Sequence, residues 1–329
     1  MGRVEQVVSP GTADPRAGAE SPYPLVWLRR GPEESRSLVQ GLELVRHVAA
    51  GDVAEGWLCM IANGTAHYLS TFASDELLDR TYARDNQVFG VVAPVGVLRP
   101  DGDGTARIDG RWRFASGADR ATYLAMGCVP VEGRRRSALL RRDLLRVDEP
   151  WAGPGLLATT SHTLRADDVH VDETDVVDLT DVPSDRPTGI YGDGELFLAN
   201  MPGVPLGLAE GLLALLGPTV TGTSAWATTY SDAYSRCVLA RHGVTDMLRD
   251  LDTLARNGRL KPFAPPLRAE FRALLSGAYH VALDAVLALV AACDTADPAL
   301  RARLVTARRD GETMRPHGAM RSYLHGRSG

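Results

Sequence analysis

The residues best suited to chemistry gather in short turns behind apolar strands. Gly110-Arg111-Trp112-Arg113-Phe114-Ala115-Ser116-Gly117 alternates as a strand does, which puts Trp112 and Phe114 on one face and Arg111 and Arg113 on the other. The alternation stops at Ser116-Gly117, where a hydroxyl and free backbone N–H groups can face a ligand; a plain half-buried strand end is the other reading. Thr160-Ser161 offers similar chemistry, because small hydroxyl residues on a turn donate to anionic oxygens or simply close an ST-turn. Two histidines could hold or move a proton. His67 follows Asn63 by four residues, so the two share a helix face, as packing or as a polar lining. His317 follows Arg309-Asp310, and its neighbour Pro316 bends or stops a helix, which leaves it an active-site group or a surface residue.

Other chemistries find little support. Asp101-Gly102-Asp103-Gly104 has a calcium-like composition without the ligand spacing or closing Glu, so it reads as a hairpin turn and no metal is expected. The four cysteines, Cys59, Cys128, Cys237 and Cys293, form no C-x-x-C pair and read as buried thiols in a reducing, cytoplasmic setting. A net charge of -5 leaves no electrostatic footprint for nucleic acid. No apolar run is expected to reach the roughly 20 residues that cross a bilayer, and the N-terminus lacks the basic-then-apolar order of a signal peptide. Arg134-Arg135-Arg136 reads as a solvated hairpin tip or as a docking patch for a phosphate-bearing carrier. There is no G-x-G-x-x-G, so no nicotinamide-binding element is expected.

The elements that must position these residues fall into blocks. Residues 1–24, rich in Gly, Pro, Ala and Ser, read as a flexible arm. Ser35 is placed to cap a first helix carrying Leu38, Leu42, Val45 and Val48; Gly51-Asp52 interrupts, and Val53 to Phe72 forms a second. From Val88 the texture turns to strands: Phe89 to Val95 is an apolar run ending in a turn at Pro94-Gly96. Beyond a connector at 180–203 the chain is helical, with a possible break at Gly243 and a strong helix after Pro265-Pro266. The blocks are an arm (1–24), an N-terminal helical part (25–87), a β part (88–182) and a helical bundle (183–329).

The wording of these stretches resembles flavin-dependent enzymes of the acyl-CoA dehydrogenase fold. Its closest branch here is the two-component aromatic monooxygenases, whose segment reads roughly G-x-W-x-F-x-S-G. "GRWRFASGADRATYLAMG" carries that resemblance, "GLLATTSHTLRADDVHVDETDVVDL" resembles the family's exit strand, and "LRARLVTARRDGETMRPHGAM" its last helix. The resemblance implies an α+β fold: a shortened N-terminal helical part, a middle antiparallel β-barrel-like domain and a C-terminal bundle. It places Phe114, Ala115 and Ser116 against the flavin ring, the backbone at Ala93-Pro94 at its pyrimidine end, and Thr160 and Ser161 near phosphates and ribose. Ser116, His317 and His67 become the catalytic candidates. Arg120 stands where the family often has His, and Asp172 where it has Pro.

The function implied is an oxygenase that takes reduced FAD or FMN from a separate reductase. Its substrate would be an aromatic or polyketide-like small molecule of secondary metabolism, free or carrier-bound, and the assembly a homodimer or homotetramer. A flavin-free relative using the cleft for cyclisation, dehydration or binding is the alternative, favoured by Arg120 and the shortened N-terminal part. A thioester dehydrogenase needs a carboxylate base, and Glu210, Glu270 and Glu312 lack the family's setting.

Overall fold

The computed structural model describes residues 23–29, 36–83, 86–131, 133–180, 182–183 and 189–321. Nearly all of the arm, and Ser35, lie outside the described residues. Helix α1 (Leu38–Gly51) is capped by Ser37, not Ser35, and buries Leu38, Leu42 and Val45. Asp252 of a later helix accepts the Ser37 hydroxyl (2.6 Å) and Leu38 N–H (2.7 Å), supplying negative charge at the positive end of α1. Asp52 ends α1 and accepts Ala54 and Glu55 N–H to start α2 (Val53–Phe72), which is buried almost all round. A short α3 (Asp75–Thr81) closes this block.

Among the described residues, seven strands lie between residues 88 and 178: β1 (Val88–Pro100), β2 (Thr105–Ala115), β3 (Tyr123–Val131), β4 (Arg134–Arg141), β5 (Arg146–Glu149), β6 (His162–Asp172) and β7 (Val176–Asp178). Their order is β5-β6-β2-β1-β3-β4-β7. The expected turn at Pro94-Gly96 is instead a bulge inside β1. Before it Val88–Val91 pair parallel with β3; after it Val97–Pro100 pair antiparallel with β2. One strand thereby serves two parts of the sheet, with the corner at the bulge. Gly127 permits it, since a Cβ there would meet Val92 O at 2.6 Å and Ala93 O at 2.7 Å. The Asp101–Gly104 turn is the expected hairpin, with positive φ at Gly102 and Gly104.

Among the described residues, four helices follow: α4 (Gly203–Leu216), α5 (Ala225–Arg256), α6 (Pro265–Ala292) and α7 (Pro298–Met314). Helix α5 runs unbroken through Gly243. One buried cluster joins α1, α2, the strands and α4–α7. Contrary to expectation, Gly194–Thr219 and Pro265–Ala292 are long and apolar enough to cross a membrane by length and composition alone; they are 78% and 50% buried inside the fold. The arginine run pins a strand: Arg134 pairs with Asp178, and Arg135 donates to Leu179 O.

Candidate functional site

The alternation in β2 fails at the point where the chemistry begins. Trp112 is fully buried and its indole N–H donates to Gly127 O (2.8 Å). Phe114 does not join it. At φ 61 its backbone is left-handed, and its ring turns outward at 58% exposure. There it meets Trp151 edge-on (5.9 Å), with the Arg113 guanidinium over its face. This reversal returns Ala115 and Ser116 to the interior, where both are buried.

Ser116 sits in a chain of hydrogen bonds that crosses from helix to sheet. Trp57 Nε1–H of α2 donates to Ser116 Oγ (3.0 Å). Ser116 Oγ lies 2.8 Å from Ser161 Oγ, which lies 2.6 Å from Thr159 Oγ1, and Thr159 Oγ1–H donates to Leu156 O (2.7 Å). The turn carrying Leu156 to Ser161 is tight, with left-handed backbone at Leu156 (φ 51) and Thr160 (φ 45). Thr159, which the sequence reading passed over, therefore joins the chain, whereas the Thr160 hydroxyl accepts a long contact from Asp119 N–H (3.4 Å). The run Thr159-Thr160-Ser161 presents three adjacent hydroxyls, and the two left-handed residues decide which ones turn inward.

The C-terminal helix closes on this turn. Asp310 accepts Leu156 N–H (2.6 Å), and burial pushes its carboxyl above the usual range. His317 follows the end of α7, as Pro316 leads one to expect. Its ring lies 5.4 Å from that of Trp57, edge to face. Burial lowers its pKa to about 4, so the imidazole is neutral near pH 7, and its Nδ1 is buried with no hydrogen-bond partner. Trp57 thus touches both Ser116 and His317.

His67 belongs elsewhere. It is fully buried, donates from Nε2 to Ile190 O (2.8 Å) and packs between Trp27 and Tyr191. Its hydrogen-bond and ring partners are thus Ile190, Trp27 and Tyr191, and its buried Nδ1 has no hydrogen-bond partner among the described residues. Ala93 and Pro94 lie exposed on the β1 bulge. Arg120 pairs with Glu55 (2.7 Å) and donates to Tyr23 Oη (2.9 Å), latching the turn after Ser116 to α2. This ion pair holds the Glu55 carboxyl below the usual range. A second histidine was overlooked. His162 accepts Trp151 N–H at Nδ1 (2.8 Å), so its proton lies on Nε2 and donates to Asp119 (3.1 Å). Each of the carboxylates weighed as a base is either exposed or paired: Glu210 with Arg46 and Arg241, Glu312 with Arg308, and Glu270 exposed.

No protein-family model matches the chain. It is 28% identical over 139 residues to an indole-3-acetate monooxygenase of Pseudomonas putida, covering 40% of this chain and 34% of that protein. It is 29% identical over 185 residues to the oxygenase component of an FADH(2)-dependent resorcinol hydroxylase of Rhizobium sp., covering 51% of this chain and 44% of that protein. The chain therefore spans less than half the length of these curated relatives. The solved structure of XiaF from Streptomyces sp., in complex with FADH2 and glycerol, superposes with a TM-score of 0.79 at 18% identity, over 91% of this chain and 82% of that one. The fold is that of the acyl-CoA dehydrogenase-like flavin monooxygenases. The resemblance read from the sequence is met by these relatives, which are named as a monooxygenase and as the oxygenase component of a hydroxylase.

Proposed function

We propose that this chain is the oxygenase component of a two-component flavin-dependent monooxygenase. It would take reduced FMN or FAD from a separate reductase and hydroxylate an aromatic or polyketide-like small molecule. One observation carries the reading: Ser116 and His317, assigned to the flavin by the sequence resemblance alone, both touch Trp57, and Ser161 joins them through the Ser116 hydroxyl. The residues present fit such a group. His317 offers a buried nitrogen without a partner, and Phe114 and Leu157 give the same turns an exposed apolar rim. When bound, reduced flavin supplies the oxygen-activating chemistry. Ser116 and the Ser161 turn would hold and orient it, neutral His317 would hold a proton near the reacting oxygen, and the helical bundle would keep water out. The four free thiols, of which Cys59, Cys128 and Cys237 are buried and Cys293, contrary to expectation, only partly so, fit a reducing compartment, which supports a cytoplasmic site of action. A role in secondary metabolism and a homodimer or homotetramer complete the proposal by analogy with the fold.

Two experiments test it. Titration of reduced FMN or FAD under anaerobic conditions should show saturable binding. With a flavin reductase, oxygen uptake should rise on addition of an aromatic substrate and need no acyl thioester. A colourless sample that leaves FAD and FMN fluorescence unquenched, and binds neither reduced form, would remove the reading. The second reading, a flavin-free member performing cyclisation, dehydration or binding, is favoured by one feature: the Ser116 hydroxyl already has partners within the protein on two sides.

A further inference from the structure

We infer that Thr159 and Ser161 are positioning residues that fix the direction of the Ser116 hydroxyl and so make the site select reduced over oxidised flavin. This rests on the flavin reading above. A carbonyl oxygen has no proton, so Thr159 must be the donor to Leu156 O. Each hydroxyl has one proton. Ser161 therefore donates to Thr159, and Ser116 donates to Ser161. Trp57 N–H donates into Ser116 from the other side. Ser116 is left with one unused lone pair and no proton to offer.

The far end of the chain is held firmly. Leu156 O also accepts Thr159 N–H (3.1 Å) and Trp151 Nε1–H (3.2 Å), while Asp310 holds Leu156 N–H, so the peptide is fixed from both edges. Trp57, Ser116, Thr159 and Ser161 are at most 7% exposed, so solvent does not reverse the order. A reduced flavin carries hydrogen on N5, whereas an oxidised one presents a bare lone pair there. An acceptor-only Ser116 bonds the first and repels the second.

The test reads binding and not turnover. Dissociation constants of reduced and oxidised FMN and FAD are measured anaerobically for the wild type, Ser161→Ala, Thr159→Val and Thr159→Ser. The wild type should prefer the reduced form. Ser161→Ala and Thr159→Val each free the Ser116 proton and should narrow the preference about tenfold, chiefly through tighter oxidised flavin, the scale of one neutral hydrogen bond. Thr159→Ser keeps the terminal hydroxyl and should keep the wild-type ratio. Thermal melts confirm that each variant is folded, and either Ser161→Ala or Thr159→Val suffices if the other is not. A preference that neither variant moves overturns the inference while leaving the flavin reading intact. A wild type that binds neither form overturns both.

Discussion

Asp310, on the last long helix, accepts the N–H of Leu156 at 2.6 Å across the boundary between bundle and sheet. Both groups are buried, so losing the acceptor strands a backbone donor. Asp310→Ala should cost about 1–3 kcal/mol of stability, the range for an unpaired buried donor. Asp310→Asn keeps an acceptor oxygen and should recover most of that loss. Chemical denaturation of the three proteins checks it. An Ala variant as stable as the wild type would show that the tether contributes nothing.

The same boundary depends on a missing side chain. A Cβ at Gly155 would lie 2.4 Å from Arg309 O and 2.6 Å from Asp310 N, both backbone atoms of α7. Neither can swing aside as a flexible side chain would. Gly155→Ala should therefore push α7 off the turn, with an overpacking cost of about 1–3 kcal/mol. Amide hydrogen exchange at Leu156 should accelerate, since its partner Asp310 moves with the helix. Unchanged exchange there would contradict the close approach.

Falling pH should destabilise the fold through His67. Burial lowers its pKa from 6.5 to about 4. Above pH 6.5 both folded and unfolded chains hold it neutral, and it contributes no pH dependence. As pH falls from 6.5 towards 4, the unfolded chain takes a proton that the folded one refuses, and stability drops. At about 1.4 kcal/mol per pH unit the loss is bounded near 3 kcal/mol. His67→Gln keeps a donor for Ile190 O and removes the titration. Its urea midpoint should fall less between pH 7 and pH 5 than the wild-type midpoint does. His317 has the same sign, so the variant should remain partly acid-sensitive. Parallel curves for the two proteins would refute the assignment.

Helix boundaries were legible in the sequence because local chemistry sets them. Asp52 closes one helix with its backbone N–H to Val48 O and starts the next with side-chain hydrogen bonds, and Pro265 and Pro316 mark a start and a stop. Of the candidate site, Ser116, Ser161 and His317 were named from the wording of short motifs, but the contacts that connect them through Trp57 and Ser116 span residues 57 to 317, a separation no local pattern records. Phe114 was misread because alternation assumes extended backbone, and a single left-handed residue reverses every face after it. The Pro94 segment was misread because a bulge and a turn use the same residues; only the neighbouring carbonyls over Gly127 distinguish them. Thr159 was passed over because the family motif aligned with the next two residues, and backbone curvature selects the inward hydroxyl.

Trp57 is the residue through which the helices reach the sheet's chemistry, and its two contacts can be separated. Its N–H bonds Ser116, while its ring meets His317 edge to face. Trp57→Phe deletes the first and keeps much of the second. In the wild-type background it should cost about 1 kcal/mol from the lost hydrogen bond, besides a packing loss. In a Ser116→Ala background the hydrogen bond is already gone, and only the packing loss remains. The difference between the two costs is the coupling energy, expected at about 0.5–1.5 kcal/mol, and urea denaturation of the four proteins measures it. A His317→Ala background should instead leave the Trp57→Phe cost close to its wild-type value, because the ring contact survives the first substitution. Equal costs in the wild-type and Ser116→Ala backgrounds would mean that the indole N–H does not hold Ser116, and the hydroxyl chain would lose its link to the helices.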